Sequence, residues 1–120
     1  MDADLDPEDA KIITLARSAY ARGAGAAGGA AVRDETGRTH VAVGVHLESV
    51  SLTALQLAVA IAISSGAGAL EAAAVVQKDG DELLDAELAA AWETKAAHVL
   101  VAGPDGTLAR VYERPPVTAA

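Results

Sequence analysis

The sequence predicts an α/β domain. It is a three-layer α-β-α sandwich with a mixed five-stranded sheet, in the order α-β-β-α-β-α-β-β. Three observations predict it. Segments with apolar residues at helical spacing alternate with short apolar runs bounded by glycine, as expected when helices cover both faces of a sheet. Residues 30–34 and 39–47 are joined by Glu35-Thr36-Gly37-Arg38, a glycine-bearing hairpin turn. Residues 98–102 and 108–112 are joined by Gly103-Pro104-Asp105-Gly106, which leaves no room for a crossover helix. The last two strands must therefore be antiparallel neighbours.

Each element has its own local reason. Asp6-Pro7-Glu8-Asp9 opens the first helix with a capping carboxylate, proline at the first helical position and acids in the first turn. Ile12, Leu15, Ala16, Ala19 and Tyr20 give that helix one apolar face, and Gly23 stops it. Residues 23–29, GAGAAGG, read as a flexible linker; they follow a helix and open a strand without a lysine, the reverse of a phosphate-binding loop. In the strand over 39–47, Val41, Val43, Val45 and Leu47 should form an apolar face opposite His40, Ala42, Gly44 and His46. Ser51 is the expected cap of a buried helix over 52–65, ended by Gly66 and Gly68. Residues 71–77 read as a strand, 78–81 as a loop and 82–94 as an alanine- and leucine-rich helix.

Length and composition narrow the function. The 120 residues are expected to form a single domain over 1–120, with loose tails at 1–5 and 114–120. The chain is 52% hydrophobic, but it has two tyrosines, one tryptophan and no phenylalanine, so its core must be aliphatic and rich in alanine. Small side chains bury little area, which makes burial in an oligomer attractive. A net charge of −8 with no basic cluster argues against nucleic acid as a partner. No cysteine is present, which excludes disulfides, thiolate metal sites and cysteine nucleophiles and agrees with a cytoplasmic protein. The acidic start, MDADLDPEDAK, is unlike a secretory signal. The apolar stretch 52–63 falls short of the ~20 residues that a membrane span needs.

Residues 29–76 contain GAAVRDETGRTHVAVGVHL, ESVSL, TALQLAVAIAISSG and ALEAAAVV in succession, and HVLVAGPDGT follows later. In type and spacing these segments resemble the cytidine deaminase and blasticidin-S deaminase family over residues 8–112. The chain is also similar to the short actinobacterial deaminase-like proteins that lack the zinc motif. The resemblance implies a zinc ligand and a catalytic glutamate in a Cys-Ala-Glu or His-Ala-Glu opening of the central helix. It implies two more ligands in a Pro-Cys-x-x-Cys opening of the next helix. The matching positions read Thr53-Ala54-Leu55 and Glu82-Leu83-Leu84-Asp85-Ala86.

Those differences bear directly on chemistry. Hydrolytic deamination needs three protein ligands to hold a zinc ion with one open position, and a glutamate to move protons. Leu55 cannot move a proton, and Leu83 and Ala86 cannot bind a metal. The expectation is a deaminase fold without catalytic residues, metal or cofactor, in a structural, regulatory or partner-binding role, in which Leu55 and Leu83 fill the vacated space; the alternatives are nucleoside or small-metabolite binding and a residual cytidine deaminase-type hydrolase. Trp92 suits either the core or an oligomer interface. By the same resemblance a homo-oligomer, dimer or tetramer, is expected to assemble through the faces around the central helices. A nucleoside-like ligand could still use Glu48, which stands where the family's Asn-x-Glu pair holds ribose; here that segment reads His46-Leu47-Glu48. Thr53 would be its second polar contact. The alternative is that Glu48 is a solvated loop acid.

No other constellation replaces the site. His40 and His46 are about 20 Å apart along one strand, too far to share an ion, and His98 begins a separate strand. All three read as unligated polar residues. The serines at 49, 51, 64 and 65 are explained by capping and helix ending. Lys78-Asp79-Gly80-Asp81 lacks the later ligands of a calcium loop.

Overall fold

The computed structural model describes residues 5–23 and 28–116. Along the chain run α1 (Pro7–Arg22), β1 (Gly29–Asp34), β2 (Thr39–Val43), β3 (Val45–His46), β4 (Ser51–Leu52), α2 (Ala54–Ser64), β5 (Leu70–Val76), α3 (Asp85–Glu93), β6 (His98–Ala102) and β7 (Leu108–Glu113). A single 3₁₀ turn, Lys78–Gly80, lies between β5 and α3. Five strands form one mixed sheet in the order β2-β1-β5-β6-β7, while β3 and β4 pair only with each other. The β5–β6 pair is parallel, bridged by α3, and the neighbouring pairs are antiparallel, including β6–β7.

Helices cover both faces because the strands are apolar on both. Ala30, Val32, Ala73, Val75, Val99 and Val101 point toward α2 and α3. Ala31, Ala72, Ala74, Val76, Leu100 and Ala102 point toward α1. A strand buried on both faces must be apolar throughout, and β5 is buried at every position except Glu71. Small residues let α1 approach closely. A side chain added at Gly29 would lie 2.4 Å from the Ala16 carbonyl oxygen and 2.5 Å from the Tyr20 amide nitrogen.

Several expectations are corrected. The 39–47 strand breaks at Gly44, and Leu47 lies outside it and is exposed. His40 and Ala42, on the face expected to be polar, are buried under α2, while Val41 packs toward α1. The reason is that both faces of β2 carry a helix. The central helix begins at Ala54, capped by Thr53 and not Ser51, and its surface is only partly buried, with Ala60 and Ile63 open. The next helix begins at Asp85 and not at residue 82, because the Leu83 amide donates to the Tyr112 hydroxyl and Leu84 remains extended. Arg114, expected in a loose tail, donates its amide to the Ala97 carbonyl. Residues 1–4, 24–27 and 117–120, including most of the expected linker, fall outside the described residues.

Candidate functional site: a cleft at the heads of two helices

The carboxyl ends of parallel strands in an open α/β sheet are the usual place for a ligand crevice. A cleft of about 360 Å³ lies there, lined by residues from the end of β5, the N-termini of α2 and α3, and β3. Gly28, Ala54 and Val75 contribute apolar surface, and Leu84, 63% exposed, stands at its edge. Its polar side chains are His46, Thr53, Gln77, Lys78, Asp81, Glu82 and Glu87.

Local bonding fixes most of these groups. The Thr53 hydroxyl accepts from the Gln56 amide at 3.1 Å, and the Gln56 side chain accepts from the Thr53 amide at 3.0 Å. This reciprocal capping box satisfies helix-end donors and occupies Thr53 with its own helix. His46 Nδ1 lies 2.8 Å from Ser51 Oγ across the β3–β4 pair. Gln77 Nε2 donates to the Asp81 carbonyl at 2.7 Å, closing the turn in which Asp79 and Gly80 both adopt positive φ. Glu82 reaches Arg110 at 3.5 Å, an exposed pair of small energetic weight. Glu87 is 5% exposed, and its Oε1 accepts from the Leu84 amide at 2.9 Å at the head of α3.

The five residues singled out by sequence do not converge. Thr53 alone lines the cleft. Leu55 is 0% exposed and Leu83 is buried, both in the core cluster between the sheet and α2/α3. Ala86 and Glu48 are exposed and do not line the cleft. Neither leucine lines the cleft. Sequence reasoning missed Gln77, Lys78, Asp81, Glu82, Leu84 and Glu87. Only Glu87 carried a signal, a glutamate in the first turn of a helix.

The donor set does not fit zinc. Thr53 is held by its capping box, and the other positions implied for ligands hold aliphatic side chains. Among the described residues no group of three or more His, Asp or Glu is arranged to hold a metal ion. The histidines, read from sequence as unligated polar residues, each have a side-chain partner: His40 with Asp34 at 3.0 Å, His98 with Asp9 at 2.8 Å, and His46 with Ser51. Folding brings the two acids to histidines 6 and 89 residues away in sequence.

The sheet order and the helices on its two faces are those of a deaminase-type α/β fold. The family described as cytidine deaminase-like matches residues 5–106, and the chain belongs to it. No curated protein matches the sequence. Among solved structures, a cytidine deaminase from Burkholderia pseudomallei superposes with a TM-score of 0.75 at 19% identity, covering 87% of this chain and 91% of that one. The cytidine deaminase from Mycobacterium leprae gives 0.65 at 21% identity, with 87% and 91% covered. That from Mycobacterium tuberculosis gives 0.64 at 24%, with 88% and 91% covered. At these identities the likeness is one of fold.

Proposed function

We propose that this chain is a non-hydrolytic member of the cytidine deaminase-like family, a pseudoenzyme with a binding or regulatory role. The observation that carries this reading is Leu55. It stands where the resemblance implies the catalytic glutamate, and it is fully buried in an aliphatic core. A carboxylate there would need a solvated or paired environment that these neighbours do not supply. The ligand positions likewise hold Thr53, Leu83 and Ala86, so zinc-bound hydroxide has no support from this donor set.

The surviving cleft favours small-molecule binding over a purely structural role. Its volume falls within the range of ligand pockets. A nucleoside-like ligand is the occupant that the family suggests. A homo-oligomer fits the same reading: residues 49–70 contain no charged side chain, and Ile63 on α2 is 43% exposed. Copies that each carry −8 associate most readily through uncharged surface. We place the protein, as one domain, in the cytoplasm. Among the described residues no helix is long and apolar enough to cross a membrane.

The test is ammonia release from cytidine and deoxycytidine by the purified protein with added zinc, run beside an active deaminase. No release above the protein-free control is expected. Turnover that depends on this protein and survives repeated purification would sink the non-hydrolytic reading.

A further inference from the structure

Glu87 is a buried carboxylate that its own helix satisfies only in part. Oε1 accepts from the Leu84 amide, and among the described residues Oε2 has no hydrogen-bond partner. No fully buried polar side-chain atom of the described residues lacks a partner, so Oε2 must reach accessible surface. Glu87 is among the residues that line the cleft. A carboxylate oxygen in such a position needs a donor, and a charged donor gives the stronger bond.

The surrounding charge points the same way. The lining holds three carboxylates, Asp81, Glu82 and Glu87, against the Lys78 ammonium and the Arg110 guanidinium that pairs with Glu82. Lys78 is exposed on the rim turn, whereas Glu87 is the buried member of the set. Charges buried beside low-dielectric walls attract opposite charge more strongly than charges in water do. Val75 and Ala54 supply such walls.

We propose that this cleft binds a small organic cation carrying N–H donors, an amine, amidinium or guanidinium, with Glu87 Oε2 as its anchor. The proposal rests on reading the cleft as a binding site and not a hydrolytic one. Failure of that reading shows as ammonia release, a separate readout. An uncharged nucleoside has no positive group for Glu87, so the proposal specifies a ligand class other than the one the family suggests.

The probes are benzamidine, which is cationic, and benzamide, a neutral molecule of nearly the same shape. Calorimetric titration of the full chain should show benzamidine binding at least ~10-fold tighter than benzamide, a factor set by one charge-assisted hydrogen bond. Glu87→Gln keeps an oxygen for the Leu84 amide and removes the charge. It should weaken benzamidine by ~10-fold or more while the melting temperature without ligand stays near that of the parent. In the unmutated protein the Leu84 amide resonance, bonded to the other Glu87 oxygen, should shift with benzamidine and not with benzamide. Equal binding of the two probes, binding unchanged by Glu87→Gln, or no benzamidine binding at millimolar concentration would each overturn the proposal.

Discussion

At the scale of single residues, Thr53 and Leu55 serve the fold. Thr53 bonds its own helix. Replacing it with alanine removes the acceptor for the Gln56 amide and should lower stability by ~1 kcal/mol in urea unfolding. Leu55→Glu puts a carboxylate into a site with no exposure. It should cost several kcal/mol, of order 3 or more, and release no ammonia. Asp34 shows the opposite case, a buried acid with every partner it needs. It accepts from His40 Nε2 at 3.0 Å, the Thr36 hydroxyl at 2.6 Å, and the Thr36 and Arg38 amides. The His40 and Thr36 bonds hold its carboxyl well below the usual carboxylate range. An unfolded aspartate titrates near ~3.9, so the folded form is the stronger acid. Its stabilising effect is complete above that pH and is lost as pH falls toward the folded value. The stability difference between the parent and Asp34→Asn, measured by urea unfolding, should therefore be steady near neutrality and shrink progressively below pH ~4.

At the scale of elements, backbone approach and paired charge hold α1 to the sheet. Gly29→Ala forces a methyl group against two backbone atoms of α1, which cannot rotate away. A loss of about 3 kcal/mol is expected from thermal or urea unfolding, the upper end for overpacking. Below this contact, Asp9 accepts from Arg33 at 3.0 Å and from His98 at 2.8 Å, and Arg33 also donates to Glu71 at 2.8 Å. Burial alone would lower the Arg33 pKa, but its bonds to Glu71 and Asp9 outweigh that and leave it raised. Arg33→Ala leaves Asp9 buried with only His98 and should cost ~3 kcal/mol. Amide exchange should then increase first in α1, because the broken contact is the ion pair between α1 and β1.

At the scale of the whole molecule, the sheet is covered unevenly. The α1 helix packs against β1, β2, β5 and β6, whereas Val111 on the edge strand β7 is 45% exposed. Trp92 is half-buried against the core on the α2/α3 side. Ile63 is the exposed apolar residue of α2. If copies associate there, Ile63→Lys should shift the protein to monomer in sedimentation velocity without changing its melting transition when measured at high dilution. An unchanged sedimentation coefficient would locate the contact elsewhere, or show that the parent is itself a monomer.

The sequence by itself determined the element order, the antiparallel closing hairpin and the family. These follow from local periodicity, turn chemistry and spacing, which need no knowledge of distant neighbours. It also determined that the positions matched to zinc ligands and the catalytic glutamate hold Thr53, Leu55, Leu83 and Ala86, since residue identity alone decides what can bind a metal or carry a proton. Only the tertiary structure decided where a binding site could lie. Thr53 reaches the cleft, but Leu55 and Leu83 lie in the core, and Glu48 and Ala86 do not line the cleft. The acids that claim His40 and His98 and the cleft that receives Glu87 are equally products of the fold. Their proximity depends on sheet register and helix docking, which join residues far apart in the chain and leave no local pattern to read.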